Sequence, residues 1–168
     1  MSKKLPNKKI NKKEINNNSL DDYDLLPITI DKLLLTTNDD PFVLLNSNNK
    51  KILFDLNNME SSMLTFIESG CEAYTHIRTI YHLYVSTLEY LGTTIKSAII
   101  EAKDGDIWYG RLCLTEKNNK QIYCQCTVGD AIVLSALCKC ELLIVKKVLD
   151  EADAFEEEIG EDIFYDES

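Results

Sequence analysis

Four of the six cysteines fall in one stretch, CQCTVGDAIVLSALCKC at 124–140, as two Cys-x-Cys pairs. Thiols in such numbers can hold zinc or cycle through a disulfide. Cys124 and Cys126 sit on a strand-like segment, so both point to one face with α-carbons about 6.6 Å apart, near the outer limit for a disulfide. If the following helix continues through Cys138 and Cys140, those two point about 200° apart around it. Four sulfurs would converge on one ion only if both elements bent away from their natural geometry. Zinc is therefore not expected, and the cysteines read as small apolar filler. With no apolar export signal at the N-terminus, reduced thiols are the expectation.

The other chemistry-bearing residues are acids and a histidine. Glu60 and Asp130 each stand at the start of an expected helix. A carboxylate pair can hold Mg²⁺ or Mn²⁺ and so activate water and offset charge on a phosphate. Acids at helix starts also cap free amides and oppose the helix dipole, and position alone favours that plainer role. His82 shares a helix face with Arg78, Ser86 and Glu89, which suits either a general base or a solvated polar face, the second being the simpler. Asp104 and Asp106 flank Gly105, where all three are turn formers first. Trp108 and Tyr109 could stack on bases, but on an alternating strand one of them must face the core.

The elements that position these residues recur. LPITIDKLLL, FVLLN and KKILFDL read as strands, and NNMESSMLTFIESG as a helix closed by Gly70. TTIKSAIIEA, IWYGRLCLT and QIYCQCT then read as strands, and GDAIVLSALCK as a second helix. At a constant offset of 70, residues 48–64 face 118–134, which superposes Ile52 on Ile122, Glu60 on Asp130, Met63 on Val133 and Leu64 on Leu134. Between the copies lies a helix whose expected inner face is Ile77, Tyr81, Tyr84, Leu88 and Leu91, ended by Gly92. ELLIV and KKVLDEA supply a closing strand and helical turn. The fold class implied is α+β: duplicated β-β-β-α units forming a largely antiparallel sheet with packed helices.

The chain of 168 residues suits one domain with tails. Residues 1–22 read as a basic disordered arm, 23–154 as the domain and 155–168 as an acidic tail. Residues 1–20 carry a net charge of +5 and residues 150–168 one of −10, within a total of −10. No run of about 18 apolar residues is present, so no membrane span is expected. Nucleic-acid affinity gains nothing from so acidic a field and would depend on local lysines or divalent ions. Sixteen lysines against two arginines, with 13 asparagines, suggest AT-rich coding. The expected location is cytoplasmic, or alternatively a plastid.

From about Leu26 to Ala154 the chain resembles the bifunctional nuclease domain family. ILFDLNNMES at 52–61 is similar to that family's Leu-Pro-Ile-x-Ile-Gly-x-x-Glu-Ala block, with Glu60 on the glutamate. LEYLG, KDGDIWYGRLCL and GDAIVLSAL resemble its central helix end, its hairpin and its Pro-Ser-Asp-Ala-Ile-Ala-Leu-Ala helix, and IVKKVLDEA its closing elements. The chain departs from the pattern before the central helix, where Tyr81 falls on the family's histidine in the ungapped register and His82 recovers it only after a slip of one. Thr127 and Gln125 replace an arginine and an aspartate, and Asp130 alone survives in that block. The resemblance implies hydrolysis of DNA or RNA phosphodiesters; taken with the chemistry above, the candidate catalytic residues are Asp130, Glu60 and His82, the candidate ligands of Mg²⁺ or Mn²⁺ are Asp130 and Glu60, and no organic cofactor is expected. The alternative is an inactive member acting by self-association as a homo-oligomer or through a protein partner.

Overall fold

The computed structural model describes residues 23–70, 79–102, 108–153 and 164–166. Asp104, Gly105, Asp106, Ile77 and Arg78 lie outside the described residues, as do the arm 1–22 and most of the acidic tail. The chain order is β1 (Leu25–Pro27), β2 (Thr29–Thr36), β3 (Pro41–Ser47), β4 (Lys50–Asp55), α1 (Asn58–Ser69), α2 (Ile80–Tyr90), β5 (Thr93–Ala102), β6 (Trp108–Glu116), β7 (Gln121–Cys126), α3 (Val128–Cys138), β8 (Glu141–Val145), α4 (Lys146–Glu151) and β9 (Phe164–Asp166). The protein is an α+β structure with antiparallel meanders, as the pattern of the chain implies. Each β-β-β-α unit is present: β2-β3-β4-α1 and β5-β6-β7-α3.

The two meanders belong to two sheets. One runs β1-β8-β5-β6-β7 and the other β4-β3-β2-β9. All pairings are antiparallel except β5 with β8, which the helical crossover through α3 permits. LPITIDKLLL, read from sequence as one strand, serves both sheets: Leu25–Pro27 pair with Leu143–Val145, and the chain crosses at Ile28 before Thr29 joins β3. Ile28 is buried at this crossing and its amide donates to Leu142 O at 3.1 Å.

Local details repeat as well. The first strand of each unit carries a register shift, between Ile30 and Lys32 in β2 and between Ile95 and Ser97 in β5. Asn48 and Asn49, with φ of 50° and 62°, form the two-residue β3–β4 turn, the conformation that asparagine tolerates best after glycine. Helix α1 ends on Gly70 at φ 55° and α3 on Lys139 at φ 52°, both left-handed caps. The α3 helix therefore stops at Cys138 rather than continuing through Cys140, because Lys139 leaves the helical region.

Helix α3 lies across β5, β6 and β8, and α1 touches both α3 and β3. Ala131, Ile132 and Val133 on α3 are fully buried with Ile99, Ile100 and Ile144 of one sheet and Val43 and Leu45 of the other. One continuous core thus ties the repeats together, and it brings the starts of α1 and α3 side by side. The acidic tail contributes β9, whose Phe164–Asp166 pair with Leu34–Thr36 on the edge of β2. The short apolar run within those acids explains how a tail segment joins a sheet.

Candidate active site at the paired helix starts

Helix α1 begins with Asn57, whose side chain accepts from the amides of Met59 and Glu60, each at 2.9 Å. Glu60 Oε2 answers by accepting from the Asn57 amide at 2.8 Å, closing a capping box. Helix α3 begins with Thr127, whose hydroxyl accepts from the Asp130 amide at 3.0 Å. Glu60 and Asp130 therefore occupy the same third helical position of the two repeats.

Their surroundings differ. Glu60 is only 5% exposed, and its carboxyl lies against the backbone of Gly129, where an added Cβ would collide with Cδ and both carboxyl oxygens. Only glycine permits that approach. Burial pushes the Glu60 carboxyl above its ordinary range, the charge of Asp130 pushes it further, and the Asn57 amide partly opposes both. Asp130 is half-buried and accepts from the Tyr81 hydroxyl, at 3.0 Å from its Oδ1. Burial, this hydrogen bond and the neighbouring acid charges all raise the Tyr81 phenol well above its usual value, so it remains a protonated donor.

Asp130 and Tyr81 border a cavity of about 450 Å³. Its walls come mainly from Met59, Ile80, Tyr84 and Leu134, with Leu112, Cys124, Gln125 and Cys126 on the strand side. Leu112 and Cys124 are cross-strand partners on β6 and β7, and Gly110 opposite Cys126 leaves room for α3. A Cβ at Gly110 would stand 2.5 Å from Thr127 O and 2.7 Å from Ala131 Cβ. Among the described residues, no lysine or arginine lines the cavity. Arg111 is committed elsewhere, its Nη2 and Nε donating to Glu101 Oε1 at 2.7 and 3.1 Å.

His82 stands apart from the two acids. It occupies the third position of α2, where Nδ1 lies 2.9 Å from the Thr79 hydroxyl and accepts from the Thr79 amide at 3.4 Å. Its ring meets Phe66 edge-on with centroids 6.1 Å apart. The residue facing Asp130 is the preceding one, Tyr81. Sequence reading placed Tyr81 on an inner apolar face; the signal for its polar role was its fall on the family histidine in the ungapped register.

The inner face of α2 also differs from expectation. Tyr81 is buried and Val85 and Leu88 pack against the core, while Tyr84 and Leu91 turn outward. Trp108 meets Phe54 edge-on at 5.6 Å between centroids, linking the two sheets, and both Trp108 and Tyr109 are half-buried.

Cys113, Cys124, Cys126, Cys138 and Cys140 are free thiols. Burial pushes the Cys126 thiol up to about 12 and the Cys140 thiol to about 11. Among the described residues, no three His, Cys, Asp or Glu side chains are grouped to hold a metal ion. Glu60 and Asp130 form a pair of oxygen donors. Asp130 at the cavity offers the oxygen donors a hard divalent cation takes, whereas the Glu60 carboxyl is withdrawn into its capping box and against Gly129. No described helix is long and apolar enough to cross a membrane.

Fold and site together define an α+β protein whose duplicated halves bring two helix-start acids together, Asp130 at a cavity and Glu60 buried behind it. The family model for the bifunctional nuclease domain matches residues 43–157, well over half of the chain, and the protein belongs to that family. No curated protein matches the chain at a significant level.

Proposed function

We propose that the protein is a metal-assisted nuclease that hydrolyses phosphodiester bonds of DNA or RNA at the Asp130 cavity. The observation that carries this reading is Asp130 itself, held by Tyr81 at the cavity edge and coupled in charge to Glu60, in a chain of the bifunctional nuclease domain family. With no cationic side chain among the described residues that line the cavity and Arg111 bound to Glu101, a divalent ion is the simplest means of neutralising a phosphate there. Asp130 would hold Mg²⁺ or Mn²⁺ at the cavity, where the ion would supply a Lewis acid and lower the pKa of bound water. Tyr81 fixes Oδ1 of Asp130, and no described residue donates to Oδ2. Glu60, walled in by Gly129 and its own capping box, adds negative charge from behind and sets the position of α1 against α3. His82 is a positioning residue for the start of α2, through Thr79.

The test is hydrolysis of single-stranded DNA, duplex DNA and RNA with Mg²⁺, Mn²⁺ or EDTA. Asp130→Ala abolishes metal-dependent cleavage while circular dichroism and melting remain those of a folded protein. Equal activity in that variant, or none in the wild type above a mock purification with any metal, sinks the reading.

A second reading is favoured by one observation: α2 presents Ile80, Leu83, Tyr90 and Leu91 to solvent at 57, 61, 89 and 67% exposure. Such an apolar patch suits self-association or a protein partner, in an inactive or active member alike. Light scattering decides it, with Leu83→Glu converting an oligomer into a monomer, and a monomeric wild type counting against it.

A further inference from the structure

We infer that the cavity beside Asp130 is a pocket for one unpaired nucleobase, which makes single-stranded nucleic acid the substrate class. The inference rests on the nuclease reading and specifies what that site takes.

Affinity for a polyanion usually comes from phosphate contacts with lysine and arginine. Among the described residues that line this cavity there is none, and the chain carries a net charge of −10. Without a metal ion, binding there draws on the uncharged part of a nucleotide. The walls suit a base: Met59, Ile80, Leu112 and Leu134 are apolar, and the Tyr84 ring stands among them. Tyr84 and Met59 are 36 and 55% exposed, so an aromatic face and a thioether are already at the opening without rearrangement. Burial and the adjacent Cys124 and Cys126 thiols keep the Tyr84 phenol protonated, so its ring is presented neutral. Of the remaining polar lining, Tyr81 and Asp130 are engaged with each other, and the Gln125 amide on the strand offers a donor and an acceptor to a base edge. At about 450 Å³ the space lies within the range of small-ligand sites. A base stacked and paired within a duplex cannot enter it, whereas an unpaired one can. The same pocket brings the sugar–phosphate of the bound nucleotide to the cavity edge, where Asp130 stands.

The test is fluorescence-anisotropy binding of the full chain in EDTA, where hydrolysis does not intrude. The probes are a labelled thymidine oligonucleotide of about 12 nucleotides, an abasic strand of equal length and the corresponding duplex. The expected result is about tenfold tighter binding of the base-bearing strand than of either comparison, with a shallow salt dependence. Tyr84→Ala removes about tenfold of that affinity and Tyr84→Phe retains it. Equal binding of the abasic strand or the duplex, no binding of any probe, or an unchanged affinity in Tyr84→Ala would overturn the pocket. So would a Tyr84→Ala effect confined to oligomeric mass, which would give the patch to a second copy of the chain. The two readings fail separately: base-dependent binding without hydrolysis removes the nuclease, and Asp130-dependent hydrolysis without base preference removes the pocket.

Discussion

The starts of α1 and α3 hold the same sequence position in two copies of one unit, yet Asn57–Glu60 and Thr127–Asp130 do different things. In the first copy the acid folds back on its own cap and is buried. In the second the cap is made by Thr127 alone, and the acid is free to meet Tyr81 at a cavity. A capping box consumes a carboxylate, because the oxygen that accepts from the cap amide is withdrawn from solvent. The difference teaches that a duplicated helix start can be divided into a structural half and an exposed half without altering the backbone. Gly129 is the hinge of that division, since only the absence of a Cβ lets the buried acid approach the second helix.

The division is broken most severely by exchanging charge for amide at each acid in turn. Asp130→Asn is expected to lower metal-dependent hydrolysis by about a thousandfold, and Glu60→Gln by about tenfold; equal losses in initial-rate assays would mean the two acids act alike. Matched core truncations come next. Leu64→Ala should cost about 4 kcal/mol in urea unfolding and Leu134→Ala about 2 kcal/mol, because Leu134 already borders empty space. Gly129→Ala forces Glu60 aside and should cost about 2 kcal/mol, an overpacking penalty read by the same melts.

The helix ends give a smaller contrast. Gly70 has nothing within 4 Å of where a Cβ would stand, so Gly70→Ala should lose about 1 kcal/mol from left-handed backbone alone, and Lys139→Gly should gain about as much. The smallest effect is in pH. A carboxyl held above its unfolded value makes the native state bind more protons, so stability falls as pH rises from the ordinary glutamate value of 4.5 towards the folded one. Glu60→Gln keeps the capping box and removes that loss. Its urea midpoint should therefore gain on the wild type between pH 4 and pH 7, and a constant difference would show that Glu60 titrates normally.

Much of this was legible in the sequence because it depends on short-range periodicity. Both meanders, both helices, the asparagine turn and the acids at equivalent positions follow from alternation, helical spacing and the offset of 70. The division of the strands between two sheets was not legible, because β1 and β2 are one uninterrupted apolar run and only their partners differ. The inner face of α2 was misplaced because apolar residues flank Tyr81 and Leu88 on both sides, so Tyr84 and Leu91 or Val85 could complete that face, and packing chose Val85. The strand at Phe164–Asp166 was hidden by the charge of its neighbours.

By itself the sequence determined that the chain is a duplicated α+β domain with one acid at the start of each repeat's helix, since capping, turn chemistry and side-chain period act over a few residues. Only the tertiary structure decided that Glu60 is sealed while Asp130 meets Tyr81 beside a cavity. That outcome depends on how α1, α2 and α3 pack across intervals of tens of residues, where the close approach at Gly129 and the space beside Tyr84 are set by neighbours distant in the chain.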